Sequence, residues 1–78
     1  MNELLKRIEI NREIMLGKPV IKGTRIPVEL LLKKLSQNIS TNEILEDYPN
    51  LAQEDIMAAI AFASEELSTE EIYVLTGN

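Results

Sequence analysis

The sequence contains no cysteine, no histidine and no tryptophan, and its only aromatic residues are two tyrosines and one phenylalanine. Without cysteine and histidine, both disulfides and the ordinary kinds of zinc site are excluded. The lack of histidine also removes the side chain that most often acts as a base near neutral pH. Composition therefore predicts a protein that is not an enzyme and that holds no metal or cofactor.

Long hydrophobic runs are also missing. No stretch approaches the roughly 18 apolar residues that cross a bilayer, and the first seven residues lack the apolar core of a signal peptide. We therefore expect a cytoplasmic protein with no membrane partner. A chain of 78 residues can build only a small core. Because no disulfide or metal can reinforce that core, a second copy of the chain is the expected reinforcement.

The charges are divided between the two halves of the chain. The first 34 positions hold all eight basic residues and four acids, whereas residues 35–78 hold nine acids and no base. The first part therefore carries a net charge of +4 and the second part −9. This asymmetry indicates that the leading part meets an anionic partner or the acidic half, whereas the trailing part repels nucleic acid.

Residues 17–28, with the sequence GKPVIKGTRIPV, are the most distinctive segment. Two glycines and two prolines within twelve positions predict short extended pieces joined by fixed bends. Alternating polar and apolar residues at 7–10 predict a strand that pairs with Val20–Ile21. Between them, residues 11–18 could form a turn of helix or a wide loop. We call residues 1–26 the basic ribbon.

Three helices are predicted after the ribbon. Pro27 suits the first position of a helix, and Asn38, which tolerates the left-handed conformation, closes that helix. A capping box over residues 40–43 starts the second helix, with Ile39 and Ile44 as its hydrophobic staple. Residues 48–51 form the turn that follows, because Pro49 ends the helix.

The third helix begins near Ala52, a weak cap, with acids in its first turn against the helix dipole. Its buried face is predicted to carry Ile56, Ala59, Ile60 and Ala63. A second capping box over residues 68–71 predicts a short C-terminal helix, although a strand or a tail is equally compatible. The predicted fold is mainly α. It is one domain with a β ribbon (1–26), a helix-turn-helix-like core (27–66) and a C-terminal extension (67–78).

A helix-turn-helix layout raises the question of DNA binding. The outer face of the third helix carries Glu54 and Glu65 but no base, so it should repel DNA. Any contact with nucleic acid would have to use the ribbon. The alternative is that the ribbon cations form ion pairs with the acidic helices. The candidate residues for binding a partner or nucleic acid are Lys18, Lys22, Thr24, Arg25, Lys33 and Lys34.

An apolar outer face on the third helix favours packing against a second subunit. The residues expected in a dimer interface are Val20, Ile21, Ile26, Met57, Ala61 and Phe62. A dimeric module with a purely structural role is compatible with the same pattern.

The sequence resembles the domain-of-unknown-function 433 family over about residues 8–66. The resemblance rests on residues 17–28, on Ile44–Leu45 ahead of Tyr48–Pro49, and on residues 54–56 with Ala58–Ala59. It implies a helix-turn-helix-like fold, a homodimer, and an antitoxin-like role against a PIN-like nuclease toxin. The alternative is a DNA-binding regulator that acts through the ribbon. Asn38 and Ala52 stand where the family usually has Gly and Ser or Thr, so two helix caps are weaker than usual.

Overall fold

The computed structural model describes the backbone of residues 3–76 and the side chains of residues 3–68. A short strand pair at the N-terminal end precedes three helices, as the sequence predicted. The elements in chain order are an N-terminal 3₁₀ helix (Glu3–Arg7), β1 (Ile8–Glu9), a one-turn 3₁₀ segment (Met15–Gly17), β2 (Val20–Ile21), α1 (Val28–Ser36), α2 (Thr41–Asp47) and α3 (Gln53–Thr76).

The two strands form an antiparallel pair with the predicted partners. Ile8 lies opposite Ile21, and Glu9 lies opposite Val20. On its other side, β2 meets the extended chain ahead of α1, where the Ile21 N–H donates to the Ile26 carbonyl at 3.0 Å. β2 is therefore the middle one of three extended segments, and its backbone is bonded on both edges.

The core is aliphatic and lies between the ribbon and the three helices. Val20 and Ile21 are only 0% and 1% exposed, so they belong to the core of the chain itself and offer no surface to a dimer interface. Because consecutive side chains of a strand point to opposite faces, their burial means that both faces of β2 are covered. Ile26, also expected in the interface, is partly buried against this core. The buried hydrophobic cluster consists of Ile21, Val28, Leu31, Ile44, Leu51, Ile56 and Ala59.

Helix α1 ends at the predicted residue. Asn38 adopts a left-handed conformation with φ of 66°, its N–H donates to the Leu35 carbonyl, and the Ile39 N–H donates to the Lys34 carbonyl. This pair of bonds is the Schellman motif. At the other end, Pro27 is the N-cap, one residue before the position predicted for it.

Helix α2 begins as predicted, because the Ser40 hydroxyl accepts a hydrogen bond from the Glu43 N–H at 3.2 Å. The Glu43 carboxylate returns to the Ser40 hydroxyl rather than to the Ser40 amide. Residues 48–51 then form the expected turn, closed by the Leu51 N–H donating to the Tyr48 carbonyl at 2.9 Å. Local sequence signals thus place both ends of this helix.

The buried face of α3 differs from the predicted one. Ile56 and Ala59 are buried as expected, but Ala58 is buried as well and Ile60 is 48% exposed. Phe62 packs against the core instead of lying on an outer face. The N-terminal 3₁₀ helix also packs against α3, and helical periodicity alone gives no information about that contact.

Helix α3 continues to Thr76, so residues 68–75 extend it and do not form a separate C-terminal helix. The Ser68 hydroxyl donates to the Glu65 carbonyl at 3.0 Å, a bond typical of serine inside a helix. A capping serine would need an extended backbone, which Ser68 lacks. Within the described residues, no helix combines the length and apolar character required for a membrane span.

Candidate functional site: the basic turn and an apolar groove

Residues 21–26 form a rigid turn at the exposed end of the ribbon, which we call the basic turn. The Thr24 N–H donates to the Ile21 carbonyl at 3.0 Å, and Gly23 has φ of 81°. Positive φ at the third position, with Lys22 outside that region, is typical of a type II β-turn. The turn therefore requires glycine at position 23.

Thr24 braces this turn. Its hydroxyl donates to the Ile21 carbonyl at 2.7 Å and accepts from the Ile26 N–H at 3.0 Å. Both hydrogen-bonding functions of the hydroxyl are thus used inside the chain. Thr24, which the sequence suggested as a contact residue, has a structural role that fixes the neighbouring cations.

Lys22 and Arg25 project from the basic turn into solvent. Neither forms an ion pair with any residue in the described part of the chain. A recess of about 510 Å³ adjoins the turn on the Arg25 side. Its lining residues are Glu9, Ile14, Gly23, Thr24, Arg25, Ile26 and Asn50. The two cations are therefore available to an anionic partner.

Lys18 is engaged within the chain. Its Nζ lies 2.6 Å from Glu29 Oε1 at the start of α1. The hydrogen bond from Lys18 and its positive charge lower the pKa of Glu29 below the ordinary value of 4.5, and Lys33 adds a smaller effect. For this cation, the structure matches the ion-pair alternative that the sequence left open.

The remaining two lysines differ from each other. Lys34 is half-buried, and its Nζ lies 5.9 Å from the centre of the Tyr48 ring, within the range of a cation–π contact. Lys33 is exposed on α1. Of the six predicted contact residues, Lys22, Arg25 and Lys33 thus remain exposed without a described ion-pair partner.

An ion pair that sequence reasoning missed joins the N-terminal segment to α3. Arg7 Nη1 lies 3.0 Å from Oδ1 of the buried Asp55. The other carboxylate oxygen accepts from the Ala52 N–H at 2.8 Å and so caps α3. The sequence signal for this cap was an acid, Asp55, three residues after the weak N-cap Ala52. No local pattern indicated its partner Arg7.

An apolar groove of about 470 Å³ runs between α1 and α3. Phe62 and Leu67 form one wall, and Val28 and Leu32 form the other. The complete lining is Lys18, Pro19, Val28, Glu29, Leu32, Phe62, Ala63, Glu66 and Leu67. Phe62, expected in a dimer interface, therefore lies partly in the core and partly in this groove.

The exposed surface at the start of α3 carries Gln53, Glu54, Met57 and Ile60. This surface has one acid and no base, so it lacks the cations that bind phosphates. Met57, expected in a dimer interface, is exposed there, whereas Ala61 is only partly exposed. Among the described residues, acidic side chains do not form a group of three or more that could hold a metal ion.

Comparisons with known proteins agree with this architecture. The family model of DUF433, a protein of unknown function, matches residues 8–63. The crystal structure of a DUF433 member protein from Anabaena variabilis is similar at a TM-score of 0.75 and 29% sequence identity, over 88% of this chain and 68% of that chain. An uncharacterized protein from Archaeoglobus fulgidus is 56% identical over 25 residues, which are 32% of this chain and 69% of that protein. Because the family match spans well over half of its length, the chain belongs to the DUF433 family.

Proposed function

We propose that this protein is a non-enzymatic, antitoxin-like binding protein, a homodimer that neutralises a PIN-like nuclease. The observation that carries the proposal is the basic turn. Lys22 and Arg25 stand on a backbone fixed by Gly23 and by the two Thr24 hydrogen bonds. A backbone that is already fixed does not have to be ordered when the turn meets a partner.

The charge of the basic turn suits the proposed partner. A PIN-like active site is a cluster of carboxylates that hold metal ions, as the family resemblance implies. Arg25 presents a planar guanidinium that can bind a carboxylate through two hydrogen bonds. Lys22 adds a second positive charge three residues away. Such a pair would compete with metal for the acidic site and raise the rate of association.

The experiment is a search for a nuclease gene beside this gene, followed by co-purification and nuclease-inhibition assays with the product of any gene found there. We expect Arg25→Glu to weaken complex formation at least 10-fold and to restore nuclease activity, because a like charge would face the acidic site. Lys6→Glu is the matched control. It makes the same charge change on an exposed lysine outside the basic turn, whose ion-pair partner among the described residues is Glu3.

Two results would contradict the proposal. The first is a nuclease that this protein neither binds nor inhibits. The second is a complex that Arg25→Glu and Lys6→Glu weaken equally, because that would indicate an effect of net charge alone.

The second candidate function is DNA binding through the same turn, and the observation that favours it is again that Lys22 and Arg25 form no ion pair within the described part of the chain. Fluorescence anisotropy with DNA from the upstream promoter tests it. We expect affinity to fall steeply between low and physiological salt and to disappear in the Lys22→Ala, Arg25→Ala double variant. No binding at low salt would exclude this candidate.

A further inference from the structure

The loop between β1 and β2 presents an apolar side chain in an unusual way. Met15, Leu16 and Gly17 all have positive φ, of 53°, 59° and 86°. Two hydrogen bonds close this left-handed turn: Gly17 N–H to the Ile14 carbonyl, and Lys18 N–H to the Met15 carbonyl, both at 3.1 Å. Leucine and methionine rarely adopt this conformation, because the Cβ atom crowds the following carbonyl.

Leu16 is 94% exposed, the highest value among the exposed large hydrophobic residues of the described chain. The strained backbone is therefore not compensated by packing of Leu16 within its own chain. Strain that persists without an internal contact is typical of sites that meet another molecule. The same loop also exposes Ile10 and Met15.

The apolar groove begins next to this turn. Lys18 and Pro19 line the groove, and they follow Leu16 by two and three residues. A projecting side chain and an adjacent apolar groove on one surface form a patch that can complement itself. A two-fold axis that passes between the Leu16 turn and the groove would place the Leu16 of each copy in the groove of the other copy, as in an isologous dimer.

The two features carry one pair of opposite charges, Arg12 on the loop, where Glu13 follows it, and Glu66 on the groove wall that lies opposite Lys18. Arg12 is exposed beside the turn, since its Cα lies 3.9 Å from where a Gly17 Cβ would stand. The far wall of the groove carries Glu66, with Glu65 next to it and no base in residues 35–78. A second copy thus offers an acidic rim to the loop that carries Arg12, which is the charge pairing a homodimer needs.

We infer that Leu16 of each copy inserts into the α1–α3 groove of the other, with Arg12 facing the acidic rim. This inference rests on the homodimer of the proposed function and specifies the interface that forms it. The Met57 face of α3 then stays free, and so does the basic turn.

The test measures the dimer dissociation constant by analytical ultracentrifugation for wild type and for Leu16→Asn. Asparagine adopts positive φ more readily than leucine, so this variant keeps the turn and removes the apolar side chain. We expect a dimer at least about 100-fold weaker, because both copies lose a buried side chain. The thermal midpoint of the isolated monomer should not fall.

Two further variants sharpen the test. Met57→Gln, on the exposed start of α3, should leave the dissociation constant unchanged. Ala63→Arg blocks the groove and should also give monomers. A mixture of Leu16→Asn with Ala63→Arg should form heterodimers, because one intact leucine then meets one intact groove.

Three outcomes would overturn the inference. They are a dimer that Leu16→Asn leaves unchanged, a dimer that only Met57→Gln dissociates, or a wild-type monomer at every concentration. The first two leave the proposed homodimer in place. The third removes the homodimer, whereas binding of the nuclease is decided separately by the Arg25→Glu comparison.

Discussion

Arg7 and Asp55 are 48 positions apart in the sequence and are joined by a 3.0 Å hydrogen bond between Nη1 and Oδ1. The Asp55 carboxylate is buried and also caps α3 through the Ala52 N–H. One side chain thus fixes the start of the longest helix and attaches the N-terminal segment to it. Asp55 compensates for the lack of a side-chain acceptor at Ala52, which had indicated a weak cap.

Asp55→Ala should lower the free energy of unfolding by about 2–3 kcal/mol, because it removes a helix cap and the partner of Arg7. Arg7→Ala should cost less, about 1–2 kcal/mol: the buried Asp55 carboxylate loses its cation, but the bond to the Ala52 N–H survives. Urea denaturation measures both values. Asp47→Ala, an exposed acid, is the control and should change stability by less than about 0.5 kcal/mol. Equal losses for Asp55→Ala and Arg7→Ala would contradict the capping role.

Two isoleucines one turn apart on α3 should respond differently to truncation. Ile56→Ala should cost about 2–5 kcal/mol, because Ile56 is fully buried and leaves a cavity. Ile60→Ala should cost about 1 kcal/mol or less, since half of that side chain is already in water. The comparison uses the same substitution in the same helix, so helix propensity cancels. Similar losses would show that the Ile60 face is covered in solution.

Asn38 holds the left-handed position at the end of α1. Asn38→Gly should raise stability by about 0.5–1 kcal/mol, and Asn38→Ala should lower it by about 1 kcal/mol, because only glycine adopts this conformation without a Cβ penalty. Thermal unfolding followed by circular dichroism measures both changes. Gln37→Ala, at a residue with φ of −90°, should have little effect. A stabilising Asn38→Ala would be incompatible with the observed helix end.

Thr24→Val keeps the shape of the side chain but removes the hydroxyl that braces the basic turn. It should cost about 1–2 kcal/mol, since the Ile26 N–H loses its acceptor. Thr24→Ser retains both hydrogen bonds and should stay within about 0.5 kcal/mol of wild type. If the two variants are equally stable in urea denaturation, the hydroxyl does not brace the turn.

The Lys18–Glu29 pair predicts a pH dependence. The pKa of Glu29 lies below 4.5 because Lys18 donates a hydrogen bond to it and supplies a positive charge. The pair therefore adds stability above pH 4.5, and this contribution is lost as the pH falls through the lowered pKa. Carboxyl-carbon NMR titration should show Lys18→Gln raising the pKa of Glu29 more than Lys33→Gln does. The opposite order would contradict the hydrogen bond.

Much of the local structure could be predicted from short stretches of sequence. Ser40 with Glu43, Asn38 and Pro49 each act on backbone groups within a few residues, so their effects on the ends of α1 and α2 can be read without knowledge of the fold. The pairing of β1 with β2 followed from two short apolar segments flanking a loop. The candidate cations were also evident, because charge does not depend on the fold.

Burial and pairing could not be predicted in the same way. Val20 and Ile21 became core residues because other parts of the chain cover both faces of β2, and the two residues themselves carry no signal for that cover. Lys18 and Lys22 lie in one basic segment, yet among the described residues Lys18 forms an ion pair, with Glu29 at the start of α1, and Lys22 does not. The left-handed Leu16 turn had no sequence signal, because its residues are poor formers of that conformation.

The sequence by itself determined where α1 and α2 begin and end, which strands pair and where positive charge is concentrated, since these depend on neighbouring residues and composition. Tertiary structure decided which face of α3 is buried, which cations form ion pairs with the described acids and where the apolar groove opens. Those properties arise from contacts between segments far apart in the chain, and Arg7 with Asp55 is the clearest case.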